Sequence, residues 1–413
     1  MTWLDLPADH PFGLAHLPYG VFSTVADPAP RVGVRIGDLV LDAARAAAAT
    51  GYAAGAAWAT PSLNAFLGQG TTAWAAGRAW LTQVLNDAAY QHAVQPHLLP
   101  LDAVTLHLPI TVGDYVDYYA SAHHARNVGM IFRPDSPALP INWKHLPIGY
   151  HGRSGTVVVS GTPFHRPCGQ RKGPQDPVPV YGPSVRLDIE AELGYVVGGA
   201  TTMGERISVD EAGEHLFGVV LLNDWSARDI QAWEYVPLGP YLGKSFCTSI
   251  SAWVTPMAAL QSARVDLPRC EADPEVLPYL RGTGTGVQGS GGAAFGLDVH
   301  LEVRLNGEVV SRPEYRDMYW SPAQMLAHMT VNGASVGDGD LFGSGTISGP
   351  EKGQRGSFLE LSWGGQEPFE LADGSSRSYL QDGDEVVITA WAPGPDGTRI
   401  DLGDVSGRVR PPR

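Results

Sequence analysis

The sequence predicts a mostly β protein with some α, and three observations carry that expectation. Gly (50) and Pro (33) are abundant among 413 residues, which favours many turns and short strands over long helices. Val185, Leu187, Ile189 and Ala191 alternate with Arg186, Asp188, Glu190 and Glu192, the two-residue period of a strand. Gly37-Asp38 and Asn306-Gly307 each separate two apolar runs, which is hairpin chemistry.

Taken in order, residues 1–30 are Pro-rich and irregular. Val32, Val34 and Ile36 then alternate up to Gly37-Asp38, and Leu39-Val40-Leu41 returns. Residues 42–92 turn helical: Asp42 can cap an Ala-rich segment, and Trp74, Leu81, Val84 and Leu85 trace one face of a second helix. The Pro- and Leu-rich stretch 96–109 closes a first unit, so the domains are placed at 1–115 and 116–413. Asp117 and His124, seven apart, could share a helical face with Ser121. Residues 149–153 read as a turn, 156–160 as a strand and 161–184 as a long loop.

On the strand 185–197, Glu190 and Glu192 share one face about 7 Å apart at Cα. The bland reading of that pair is the solvated face of a half-exposed strand. The sharper one needs something positive between them, because two like charges that close repel. Phe217–Leu222 is an apolar run suited to a strand buried on both faces, and it ends at Asn223-Asp224. Ser226 is placed to cap a helix reaching Tyr235, with Arg228, Gln231 and Tyr235 on one face. Pro237, Gly239 and Pro240 end it, and Lys244 follows. Gly284, Gly286 and Gly289 have GxGxxG spacing, but no strand precedes them and no helix opens after them, so a nucleotide loop is rejected. Asn306-Gly307 turns a hairpin within 297–310. Ser321-Pro322 with Gln324 opens a helix as a capping box. Strands and tight turns follow, including 343–349, 358–363 and 386–391.

Composition excludes several classes. A formal charge of −15 and a pI near 5.2 argue against nucleic-acid and anionic-membrane surfaces. Cys168, Cys247 and Cys270 show no metal-ligand spacing, the usage of a reducing compartment. With no apolar run approaching a membrane span and no leader pattern, the chain reads as soluble and cytoplasmic.

Asp117, Glu190, Glu192 and Asp224 form the sharpest constellation. They offer only hard oxygen ligands, suited to Mg²⁺, Ca²⁺ or Mn²⁺ rather than zinc. Four carboxylates on one divalent ion leave about −2, which Arg228 and Lys244 can offset. Of His123 and His124 at most one faces a given site, and a lone histidine is commonly a hydrogen-bonded structural residue. Glu360 interrupts an apolar alternation, as a solvent-facing strand carboxylate also would. Cys247 reads as a buried thiol rather than a nucleophile.

The segments DYYASAHHARNVGMIFR, NWKHLPIGYHGRSGTVVVSGTP, LDIEAELGYVV, FGVVLLNDWSARDIQAWEYVPLGPYLGKSF, SGTISG and LELSW resemble the fumarylacetoacetate hydrolase family, on its fumarylacetoacetase branch. The resemblance is dense from residue 114 onward, and the Gly-rich 281–294 segment departs from it. It implies an N-terminal SH3-like barrel, a C-terminal mixed β-roll and a homodimer. It implies Ca²⁺ or Mg²⁺ on Asp117, Glu190, Glu192 and Asp224, and His124 as base oriented by Glu360. Arg228, Gln231 and Lys244 are implied in stabilising the reacting oxygens. Tyr119, Arg133, Tyr150, Gln231, Tyr235 and Thr346 are implied in binding a diketo-acid substrate. The expected reaction is hydrolysis of the C–C bond of 4-fumarylacetoacetate to fumarate and acetoacetate, the last step of tyrosine and phenylalanine breakdown. Water is a poor nucleophile at neutral pH and needs a base, and imidazole titrates in that range. The alternatives are a related acylpyruvate hydrolase or oxaloacetate decarboxylase, and a non-catalytic metal-dependent dicarboxylate binder. A binder needs neither a base nor its orienter.

Overall fold

The computed structural model describes residues 2–7, 9–173, 175–283 and 294–413. The rejected GxGxxG stretch at 284–289 lies outside the described residues. β1 (Tyr19–Ser23), β2 (Arg31–Ile36) and β3 (Leu39–Asp42) form a meander whose second turn is the expected Gly37-Asp38 hairpin. Asp42 then caps α1 (Ala43–Thr50) by accepting from the Arg45 amide, and α2 (Gly70–Asn86) buries Leu81, Val84 and Leu85. β4 (Leu98–Pro100) pairs with β3 and β5 (Thr105–His107) with β1. Among the described residues these pairings run as an open path, 4-3-2-1, rather than a closed ring.

The second part begins with β6 (Tyr115–Tyr118), α3 (Ala122–Phe132), β7 (Gly149–His151) and β8 (Val157–Val159). It continues with β9 (Ala191–Val197), β10 (Leu216–Asp224), α4 (Arg228–Glu234), β11 (Thr248–Ile250) and β12 (Trp253–Pro256). β13 (His300–Leu305) and β14 (Glu308–Ser311) are the Asn306-Gly307 hairpin, and α5 (Pro322–Thr330) opens on the Ser321/Gln324 capping box. β15 (Leu341–Gly343), α6 (Phe358–Leu361), β16 (Glu385–Pro393) and β17 (Arg399–Arg410) complete it.

A 13-stranded sheet runs β4-β3-β2-β1-β12-β10-β9-β15-β6-β7, with β5, β8 and β11 pairing off this path, so the first unit's meander is continuous with the second through β1 and β12. β10 is buried along its whole length. Val219 and Leu221 enter one apolar cluster, while Phe217, Val220 and Leu222 enter another. That division explains the unbroken apolar run: each face of the strand supplies a core. β13, β14, β16 and β17 form a second sheet with the short strand Phe164–His165, and β16 alternates between buried and half-buried positions as a one-faced strand does.

Several local expectations are corrected. Ser226 does not cap α4; Ser226-Ala227 pair with Leu187-Asp188 as a short ladder, and the Ser226 hydroxyl donates to the Asp224 carbonyl. Pairing therefore holds the chain extended until Arg228. Residues 149–151 form an edge strand on β6 rather than a turn. The 161–184 loop contains a hairpin, Cys168–Arg171 with Val180–Pro183. Residues 358–361 are helical, because Ser357 accepts from the Glu360 amide and Asp188 accepts from the Phe358 and Leu359 amides. Asp117 lies on β6 and His124 on α3, so they share no helix; Ser121 caps α3 by accepting from the His124 amide.

Candidate functional site

β10, β9, β15 and β6 are consecutive in the sheet, and they bring their acidic residues to one end. Asp224 ends β10, Glu192 is the second residue of β9, and Asp117 is the third of β6. Glu190 immediately precedes β9. Oxygens of Asp117, Glu190 and Asp224 lie within 4.8 Å of one another, all buried. Glu192 is outside that trio but shares the face of Gly343 with Asp117. A Cβ at Gly343 would stand 2.7 Å from Glu192 Oε2 and 3.1 Å from Asp117 Oδ1. Only the absence of a side chain there lets both carboxylates converge.

The charges divide into two groups. Lys244 Nζ contacts Glu190 Oε2 and lies 2.7 Å from Asp224 Oδ2. Arg228 Nη2 lies 2.8 Å from Glu190 Oε1, ion-paired without a well-directed hydrogen bond. Burial opposes the Glu190 charge, but Lys244 and Arg228 more than offset it, and its pKa is lowered. Among the described residues neither Asp117 nor Glu192 forms an ion pair with Lys or Arg. Burial, and then neighbouring carboxylates, push both well above the ordinary range. Asp117 Oδ1 and Glu192 Oε1 are buried with no hydrogen-bond partner among the described residues. Two orphaned hard oxygens beside a glycine cradle fit a divalent cation such as Ca²⁺ or Mg²⁺.

His124 is buried beside this cluster. Its Nδ1 is 2.7 Å from Glu360 Oε2, which leaves Nε2 toward the cavity, 3.8 Å from Glu190 Oε1. Glu360 also accepts from Ser348 Oγ at 2.9 Å, Ser357 Oγ at 2.8 Å and Asn127 Nδ2 at 2.8 Å. Burial alone would raise the Glu360 pKa, but His124 and these donors lower it. An ionised carboxylate on Nδ1 sets the tautomer with Nε2 free to take a proton.

The same cluster floors a cavity of about 450 Å³. Tyr119, Arg133, Tyr150, Arg228, Gln231, Tyr235 and Thr346 line it with His124 and Lys244. Tyr150 donates to Asp117 Oδ2 at 2.7 Å. Gln231 Oε1 accepts from Arg228 Nη1 at 3.2 Å, and the ring of Tyr119 meets that of His124 edge-on. Thr346 lines the cavity, and its buried Oγ1 has no hydrogen-bond partner among the described residues. Cationic, amide and hydroxyl donors around one concave space suit a small polyanionic ligand.

Comparison with known proteins decides the family. The chain matches the family models "Fumarylacetoacetase N-terminal" over residues 15–109 and "Fumarylacetoacetate (FAA) hydrolase C-terminal" over 115–410. It is 45% identical to fumarylacetoacetase of Homo sapiens over 426 residues, covering 100% of this chain and 99% of that one. The chain belongs to the fumarylacetoacetase family. Fumarylacetoacetase of Arabidopsis thaliana is 40% identical over 431 residues, with 99% and 98% covered. The solved fumarylacetoacetate hydrolase of Exiguobacterium antarcticum aligns with a TM-score of 0.55 at 17% identity, over 96% of this chain and 99% of that one, a likeness of fold.

Every residue singled out from the family's motifs lies in or beside the one cavity, including His124 and Glu360, which are 236 positions apart in sequence. The alternation at 185–197 proved wholly buried from Leu187 onward, so its acidic face is not solvated: Glu190 lines the cavity, while Asp188 pairs with Arg228. Cys247 is buried, and burial pushes its thiol up to about 12, consistent with a structural role. Sequence reasoning gave no role to Asp188, Asn127, Ser348 and Ser357, which hold Arg228 and Glu360 in place. The one available signal was Asp188 on the same face of the alternation as Glu190 and Glu192.

Proposed function

We propose that this chain hydrolyses the C–C bond of 4-fumarylacetoacetate to fumarate and acetoacetate, the closing step of tyrosine and phenylalanine breakdown. The observation that carries it is His124, held by Glu360 through Nδ1 at 2.7 Å with Nε2 turned to the same cavity as the carboxylate cluster. A binding protein has no use for an oriented base.

His124 Nε2 takes a proton from water, and the nucleophile attacks the carbonyl of the diketone. Glu360 stabilises the imidazolium and keeps the ring oriented, as in triad logic. Arg228, Gln231 and Lys244 donate to the developing oxyanion in a buried setting, where such donors act strongly. As the C–C bond breaks, the electron pair goes to the departing acetoacetate carbon as an enolate, and the His124 proton returns to it. Tyr119, Arg133, Tyr150, Tyr235 and Thr346 bind and orient the carboxylate and keto oxygens of the substrate. Asp117, Glu190, Glu192 and Asp224 would hold the divalent cation, Ca²⁺ or Mg²⁺, which supplies Lewis-acid stabilisation of the diketone oxygens.

The reading includes a division at 115/116, with catalysis in the second unit; every residue lining the cavity has number 117 or higher. It also includes a cytoplasmic homodimer, in keeping with three unpaired cysteines. Among the described residues no helix is long and apolar enough to cross a membrane.

The test is loss of the diketone absorbance of 4-fumarylacetoacetate with chelator, and after add-back of Ca²⁺ or Mg²⁺. His124→Ala should abolish turnover and leave Ca²⁺ affinity within about threefold, since the imidazole acts on the proton and not the ion. Equal loss of both would make His124 structural and sink the assignment.

A further inference from the structure

Asp188 is fully buried and takes four donors on two oxygens. Oδ2 accepts from Arg228 Nε at 2.8 Å and the Leu359 amide at 3.0 Å. Oδ1 accepts from the Phe358 amide at 2.7 Å and the Ile189 amide at 2.8 Å. The far end of Arg228 reaches Gln231 and Glu190 in the cavity. Phe358 and Leu359 open the four-residue helix α6, whose next residue is Glu360.

Each partner also has a contact besides Asp188. Arg228 already has Glu190 as a counter-charge. α6 already has Ser357, whose hydroxyl accepts from the Glu360 amide at 3.3 Å. What Asp188 adds is a shared anchor. One rigid carboxylate ties the guanidinium side of the cavity to the segment that aims the imidazole.

We propose that Asp188 is a positioning residue for the hydrolysis: it fixes the Arg228 guanidinium relative to the His124–Glu360 pair, so that oxyanion donor and base face the same carbonyl. This rests on the reading of the site as a C–C hydrolase. Reacting groups lose about 100-fold in rate for displacements near 1 Å, and Asp188 is not among the residues that line the cavity.

The experiment compares Asp188→Asn with wild type, with kcat and KM measured on 4-fumarylacetoacetate. Rates are normalised to the Ca²⁺-binding fraction determined by calorimetry. Asparagine keeps the shape but has one acceptor oxygen, so it cannot serve both pairs of donors. The expected result is kcat lower by about 10- to 100-fold, with KM and Ca²⁺ affinity each within about threefold. An active wild type with an unchanged kcat in D188N, or a rise in KM alone, overturns the proposal. A wild type inert toward the substrate overturns the reading of the site, and this proposal with it. Should D188N give no soluble protein, Asp188→Glu, which keeps both acceptor oxygens, takes its place under the same criterion. Failure of both to fold makes Asp188 structural and overturns the proposal.

Discussion

Replacing Glu360 by glutamine separates the two things a carboxylate does for the proposed base. Oε2 accepts from His124 Nδ1 at 2.7 Å, Ser357 Oγ at 2.8 Å and Ser348 Oγ at 2.9 Å; among the described residues Oε1 accepts from Asn127 Nδ2 alone, at 2.8 Å. Glutamine has one acceptor oxygen, and three donors against one place it at the Oε2 position. Its amide nitrogen then meets Asn127, which adapts by turning its own amide. The histidine tautomer survives, and only the negative charge is lost. A hydrogen bond to a charged group contributes about 1.5–3 kcal/mol against about 0.5–1.5 for a neutral one. The imidazolium therefore loses about 1–2 kcal/mol, and kcat falls about 5- to 30-fold. Glu360→Ala strips all four donors of their acceptor and frees the ring, so its loss exceeds about 100-fold. Initial rates from the diketone absorbance at saturating Ca²⁺, with circular dichroism as the folding control, read both variants. E360Q at the wild-type rate, or as slow as E360A, refutes this account of Glu360.

Two further predictions concern the carboxylates. Gly343→Ala puts a methyl 2.7 Å from Glu192 Oε2 and 3.1 Å from Asp117 Oδ1. Such overpacking costs about 1–3 kcal/mol, so Ca²⁺ affinity should fall about 5- to 150-fold by calorimetry; an unchanged Kd rejects the cradle. The second prediction is pH-dependent. Burial raises the Asp117 and Glu192 pKa values in the fold, so without a divalent ion their contribution to stability is lost as pH climbs from the unfolded value toward the folded ones. Ca²⁺ or Mg²⁺ bound to the ionised pair reverses this. The rise in Tm on adding Ca²⁺ to chelated protein should therefore grow between about pH 5 and pH 8. A rise in Tm that stays flat with pH contradicts it.

Local chemistry was legible where one short pattern decides. Asp42, the Ser321/Gln324 box and the Gly37-Asp38 and Asn306-Gly307 turns act within a few residues, and the structure holds all four. The run 217–222 was legible because each face of β10 enters an apolar cluster. Ser226 and Glu360 were misread because distant partners override local preference there: Leu187-Asp188 extends the first, and Asp188 with Ser357 coils the second. Asp117 and His124 show the limit of spacing arguments. Their separation of seven suits a helix, yet a strand end and a helix start bring them to one cavity by another route. The four acidic residues were nameable from the resemblance, while the sheet order that gathers them depends on β15, a three-residue strand with no pattern of its own.

The charge inventory turns that gathering into an argument about chemistry. Arg228 answers Asp188 and reaches Glu190, and Lys244 is shared between Glu190 and Asp224. Among the described residues, cations thus pair with one side of the cluster and not the other, where Asp117 and Glu192 keep buried oxygens without a hydrogen-bond partner. A fold requiring only neutrality would place a third basic side chain at that point, where Gly343 instead leaves room. A divalent ion fits the exclusion: it compensates two carboxylates at once and keeps positions for oxygens of a ligand. Arg228 and Lys244, already paired, also line the cavity. The acidic cluster would then hold its ion at the same sheet end where Arg228, Lys244 and His124 line one cavity.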